Sequence, residues 1–197
     1  MFASGSGTNF SSILEHIKKG ELHSDIKLLI TNNSDCGAAV TARENNIEAV
    51  HISRKVYPDL STGEYSNLFL RELEKHNIGL IVLAGYMKML PAEVVRKYRG
   101  RIINIHPALL PKHGGKGMYG LNVHRAVLDA GEKETGVTVH FVDEEYDEGE
   151  IIFQQSIAVE DGDTPESLMA RVKELEHRVY PMVIGEVARD LEKGLSF

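Results

Sequence analysis

The chain has 197 residues, of which 42% are hydrophobic and 26% charged, and its formal net charge is −7. Such a length holds a substantial core and fits one domain over residues 1–197 better than two; the acidic balance argues against a broad nucleic-acid surface but leaves room for a small anion held by a few amides and cations. A single Cys36 excludes an intramolecular disulfide and a multi-thiol zinc site, no apolar run reaches the ~20 residues of a membrane span, and no signal-peptide pattern precedes Gly5, so a cytoplasmic location is expected.

Met1-Phe2-Ala3 runs directly into Ser4-Gly5-Ser6-Gly7-Thr8-Asn9, and then Phe10, Ile13, Leu14 and Ile17 recur at helical spacing. This predicts a very short strand, a small-residue loop and an amphipathic helix whose first-turn N–H groups can receive an oxyanion such as phosphate. A tight turn with an ordinary Ser, Thr or Asn cap fits the same residues. The brevity of the strand leaves open that Met1 is a late start. Residues 26–30 read as a second strand, about 35–45 as a helix and 47–52 as a strand, followed by a polar loop from Ser53 to Gly63. A helix over 64–76 precedes the apolar run 78–85, which suits a strand covered on both faces, as in a parallel sheet. Tyr86-Met87-Lys88-Met89-Leu90 leaves that strand before Pro91 opens a short helix to about Tyr98. Met and Leu here either line a flat apolar pocket or belong to the core.

Arg101-Ile102-Ile103-Asn104-Ile105-His106-Pro107 is a buried strand interrupted by an amide and an imidazole. Their spacing of two places Asn104 and His106 on one face, and Pro107 stops the strand just after them. The carboxyl edge of an open α/β sheet is where ligands bind. Beyond it, Gly115, Gly117 and Gly120 match Gly-x-Gly-x-x-Gly, but no strand directly precedes them, which argues for a loop before a helix over 122–130. His113 and His124 then read as loop and helix-surface residues. Residues 136–142 and 150–159 read as an antiparallel hairpin joined by Asp143-Glu144-Glu145-Tyr146-Asp147-Glu148-Gly149, whose spacing does not match a calcium loop. Within it, Gly149 allows a sharp turn that could aim Asp147 inward. Thr164-Pro165 starts a helix that runs past Pro181 towards Leu191, where Lys173 and Glu176 share a face and read by default as a surface salt bridge. The alternation of strands and helices predicts an α/β fold, a Rossmann-like, open and mostly parallel sheet flanked by helices, with an antiparallel hairpin in the carboxyl-terminal half.

Five segments together resemble the glycinamide ribonucleotide formyltransferases, a folate-dependent formyltransferase family of purine biosynthesis. They are Ala3 to Asn9, Ala84 to Leu90, Asn104-Ile105-His106-Pro107-Ala108-Leu109-Leu110-Pro111, Val139 to Gly149, and Glu176-His177-Arg178-Val179-Tyr180-Pro181. The resemblance implies transfer of a formyl group from 10-formyltetrahydrofolate, as co-substrate, to the amine of 5-phosphoribosylglycinamide, without a metal. It implies a phosphate-binding half over about 1–100 and a catalytic and folate-binding half over about 101–197. Asn104, His106 and Asp147 take the catalytic positions, with Asn104 and protonated His106 donating to the oxyanion and Asp147 raising the His106 pKa.

Gly7, Thr8, Asn9 and Lys173 correspond to the phosphate site, and Glu176 to the ribose site. Met87, Lys88, Met89 and Leu90, with Asn104 and the segment Asp143, Glu144, Glu145, Tyr146 and Asp147, correspond to the folate cleft. No contact carries over at Ser61-Thr62-Gly63, where the family can place a basic residue, and the loop Gly114 to Gly120 is longer than in some relatives. The partners expected are small molecules, with neither nucleic acid nor membrane, for a monomer or homodimer. Relatives acting on methionyl-tRNA, or hydrolysing formyltetrahydrofolate, are expected to carry a further domain. A non-catalytic folate or nucleotide binder is the alternative from another class, and the presence of all three catalytic residues argues against it.

Overall fold

Strand and helix alternate through the computed structural model, which describes residues 1–195. The order is β1 (Phe2–Ala3), α1 (Thr8–Lys18), β2 (Leu28–Thr31), α2 (Gly37–Glu44), β3 (Glu48–His51), α3 (Thr62–Lys75) and β4 (Ile81–Leu83). It continues through α4 (Ala92–Lys97), β5 (Ile102–His106), α5 (Leu121–Asp129), β6 (Glu134–Phe141), β7 (Ile151–Ala158) and α6 (Pro165–Glu192). One 7-stranded sheet has the order β3-β2-β1-β4-β5-β6-β7. β3 through β5 are parallel, whereas β6 runs antiparallel to β5 and pairs antiparallel with β7. This is the Rossmann-like α/β sheet with a late hairpin that the pattern predicts. Among the described residues no helix is long and apolar enough to cross a membrane.

Side-chain alternation along β5 divides the core. Ile103 and Ile105 pack with Ile13 of α1, Val127 of α5 and the apolar stripe of α6. Ile102 points the other way, towards Phe69 and Leu73 of α3 and Val94 of α4. Asn104 and His106 have the parity of Ile102, so both emerge on one face where the strand runs out. β1 is only 2 residues long yet lies at the centre of the parallel region, with Phe2 opposite Ile30 on one side and Leu83 on the other.

Helix ends deviate from expectation for local reasons. α3 starts two residues early because Ser61 and Glu64 form a reciprocal capping box. Pro91 serves as the N-cap of α4, not its first helical residue. α6 carries Pro181 within its helical span, and its Tyr180 is fully buried. The Tyr180 hydroxyl donates towards the carbonyls of Leu83 (2.8 Å) and Ile103 (3.1 Å), tying α6 to the strands that present the site. Tyr180→Phe is therefore expected to cost about 1–2 kcal/mol, since two buried carbonyls lose a donor. Chemical unfolding checks this, and an unchanged midpoint and slope would show that the hydroxyl contributes nothing.

Candidate active site

The carboxyl ends of the parallel strands open into a cavity of about 500 Å³, floored by Asn104 and His106 of β5. Loops after β4, β5 and β6 wall it, and α1, α5 and α6 contribute Asn9, His124 and Lys173 with Glu176. Its size suits a ligand larger than a single phosphate.

Asp147 reaches this floor from the β6–β7 loop. The positive φ of 58° falls on Asp147 itself. Gly149 contributes differently: a Cβ there would lie 1.8 Å from the Phe141 carbonyl oxygen, so the loop can fold against β6 only without a side chain. The Asp147 carboxylate accepts from Gly115 N–H at 2.9 Å. Its oxygens lie 3.5 Å from His106 Nδ1 and 3.5 Å from His140 Nε2. Burial pulls its pKa upward, but the His140 hydrogen bond, the charge of His106 and the Gly115 amide outweigh that, so the carboxyl stays below its ordinary value.

His106 is 3% exposed; Asp147 pushes its pKa upward as expected, yet the net shift is downward. Burial lowers it, with only partial compensation from Asp147. Its Nε2–H donates to the His113 carbonyl at 2.8 Å, so Nδ1, facing Asp147, is where a second proton would reside. His140 stands opposite Asn104 in the β5–β6 register. It donates Nδ1–H to the Phe141 carbonyl at 2.8 Å. In the neutral ring, Nε2 can accept from Asn104 Nδ2 at 3.2 Å; protonated, it can donate to Asp147. The four polar side chains form one linked group.

At the other end of the cavity, Glu176 is buried rather than part of a surface pair, and Asn9 Nδ2 donates to its Oε2 at 3.0 Å. Lys173 lines the same cavity and makes no ion pair among the described residues. Gly7, at φ 77°, is the N-cap of α1 and makes no side-chain cap. It and Thr8 stand behind Asn9, outside the cavity lining. A Cβ on Gly7 would meet the Ala38 backbone at 2.6 Å, so glycine is required both by φ and by the close approach of α2.

Burial pushes the Glu176 carboxyl from 4.5 up to about 7, against the Asn9 hydrogen bond and the Lys173 charge. Between these values the native chain holds a proton that the unfolded chain has released, so this contribution to stability is full below the unfolded pKa and is lost as pH rises through about 7. The loss amounts to about 3 kcal/mol. Glu176→Gln, neutral throughout, is expected to gain stability relative to the parent between about pH 5 and about pH 8. Parallel stability curves in urea titrations would contradict this.

Met87, Lys88, Met89, Leu90, Asp143, Glu145 and Tyr146 line the cavity with Asn104 and Asp147. Met87 and Met89 are about half exposed, at 51% and 50%, and so are not core residues. Glu144 lies outside the lining, with its carboxylate 3.4 Å from Arg96. Sequence reasoning assigned no role to His140, Gly115 or His124. His124 is 2% exposed and lines the cavity, where a helix-surface position was expected. His140 meets Asn104 through the β5–β6 register, which the folded sheet sets and no local sequence pattern marks.

The formyl transferase family profile matches residues 1–184. The chain is 43% identical over 190 residues to the chloroplastic phosphoribosylglycinamide formyltransferase of Arabidopsis thaliana, an alignment covering 96% of this chain and 65% of that protein. It thus spans less than two thirds of that plant relative's length. It is 37% identical to the phosphoribosylglycinamide formyltransferase of Haemophilus influenzae, over 92% of this chain and 82% of that one. The crystal structure of glycinamide ribonucleotide transformylase 1 from Geobacillus kaustophilus superimposes with a TM-score of 0.86 at 38% identity, covering 94% of this chain and 95% of that chain. With the family profile, these relatives and the sheet in agreement, the chain belongs to the formyl transferase family, among the phosphoribosylglycinamide formyltransferases.

Proposed function

We propose that this chain transfers the formyl group of 10-formyltetrahydrofolate to the amine of 5-phosphoribosylglycinamide, yielding the N-formyl product and tetrahydrofolate for purine biosynthesis. The observation that carries the proposal is the convergence of Asp147 on His106 and His140, beside Asn104, at the floor of the cavity. The amine nitrogen forms a bond to the formyl carbon, the carbon–N10 bond breaks, and the proton released by the amine ends on N10.

Asn104 donates to the oxygen that becomes negative during attack. His106 turns its Nε2–H from the His113 carbonyl to the same oxygen, while Asp147, facing Nδ1, draws the ring towards its charged form against the burial that lowers its pKa. Asp147 receives the amine proton through water and can pass it on towards N10. Lys173 and the first-turn amides of Gly7, Thr8 and Asn9 hold the phosphate, and Glu176 engages the ribose hydroxyls. Residues 87–90 and 143–147 cover the folate ring system. The first half of the chain thus supplies the phosphate loop and part of the folate cover, and the second half supplies Asn104, His106 and Asp147 together with Lys173 and Glu176. The partners needed are two small molecules, and the reducing cytoplasm is a compartment that suits the buried free Cys36.

Tetrahydrofolate release from 10-formyltetrahydrofolate, measured with and without the amine, tests this reading. Release that depends on the amine is expected. Equal release without it would indicate hydrolysis, and no release in either case would indicate a binding module.

A further inference from the structure

His124 carries an unmet hydrogen-bonding capacity that the mechanism above does not use. It projects from α5 into the cavity lining and is only 2% exposed. Its Nδ1 is sealed from solvent and has no hydrogen-bond partner among the described residues. Nε2 is the ring nitrogen not sealed off in this way, so it is the one left to face the cavity.

The protonation of the ring follows from these surroundings. A buried N–H without an acceptor costs more than a buried lone pair without a donor. The ring proton therefore sits on Nε2, leaving the lone pair at Nδ1. Burial, the charge of His106 and that of Lys173 lower the His124 pKa to about 4, so the ring stays neutral at physiological pH. The ring thus offers a fixed, uncharged N–H at the cavity wall, acted on by Lys173 at the anionic end and by His106 at the reacting end.

We infer that His124 Nε2–H donates to a hydroxyl or carbonyl oxygen of the phosphoribosyl amine, in the stretch between its phosphate and its reacting nitrogen. The inference rests on the formyl-transfer reading and adds to it a binding residue specific to the amine substrate. On the formyl-transfer reading the folate is held by residues 87–90 and 143–147, none of them on α5 or α6, so its affinity is expected to be independent of His124.

Three variants assayed by steady-state kinetics with both substrates test this. His124→Phe keeps a ring but removes both nitrogens; it is expected to raise the KM for the phosphoribosyl amine about tenfold while leaving the folate KM within about twofold. His124→Gln, whose amide nitrogen can reach the position of Nε2, is expected to recover most of the loss, whereas His124→Asn, whose amide lies nearer Nδ1, is not. An unchanged amine KM in the Phe variant, a parallel rise for the folate, or equal recovery by Asn and Gln would overturn the inference. If the Phe variant melts at the assay temperature, the contrast between Gln and Asn decides the matter. Absence of formyl transfer by the parent protein would defeat the underlying reading; transfer by the parent with an unmoved amine KM in the variants would defeat only the role of His124.

Discussion

Asp147→Asn is expected to lower turnover about 10³-fold while equilibrium affinity for both substrates changes little. Asparagine has nearly the same shape, and its side-chain oxygen can still accept from Gly115, which now meets Asp147 at 2.9 Å. What it lacks is the charge. Without a carboxylate at 3.5 Å, burial drives His106 further towards neutrality, and the proposed mechanism loses both the anion that favours a charged His106 beside the oxyanion and its acceptor for the amine proton. His140 also loses the anion facing its Nε2. Because these effects arise in the transition state, they should appear in kcat and leave ground-state binding intact. Single-turnover rates paired with equilibrium titrations separate the two, and near-parental turnover would remove Asp147 from the chemistry.

Asn104→Ala is expected to lower kcat about 10²–10³-fold, the usual loss when one oxyanion donor is removed. Asn104 is half-buried on β5 and its amide lies 3.2 Å from His140 Nε2, so a strand and a neighbouring ring hold the donor in position before substrate arrives. Alanine leaves no donor to replace it. Asn104→Asp should be worse still, because it exchanges a donor for an acceptor and places a second negative charge beside Asp147. The measurement is kcat against the KM for each substrate. A variant in which only the folate KM moves would make Asn104 a binding residue and leave the oxyanion to other groups.

Much of the fold was legible because its elements obey local rules. The β-branched run of β5 and its Pro stop located Asn104 and His106 at the sheet edge, and the two strands with their short acidic connection announced the hairpin that delivers Asp147. The geometry of that delivery was not legible. The sharp turn expected from Gly149 resides partly in Asp147 itself, at φ 58°, while Gly149 is needed for its approach to Phe141. Backbone proximity of that kind leaves no periodic trace in a sequence.

The environment of each site residue was harder to read than its identity. His106 was expected to be driven towards its charged form by Asp147, but burial at 3% exposure exceeds the effect of a carboxylate 3.5 Å away. Glu176, three residues from Lys173, had the spacing of a surface pair; the packing of α1 against α6 buries it beside Asn9 instead. His140 and Gly115 enter through antiparallel register and a loop contact, both set by the tertiary structure. The loop Gly114 to Gly120 had no evident consequence in the sequence, yet its Gly115 amide is one of the groups that hold Asp147 in place.

The central claim is that this chain moves a formyl carbon from a folate to an amine. Its most direct test is to follow that carbon. With 10-formyltetrahydrofolate labelled in the formyl group and excess 5-phosphoribosylglycinamide, the label should appear in the N-formyl product in equal amount to the tetrahydrofolate released. Label recovered as formate, or retained on the folate, would contradict the account.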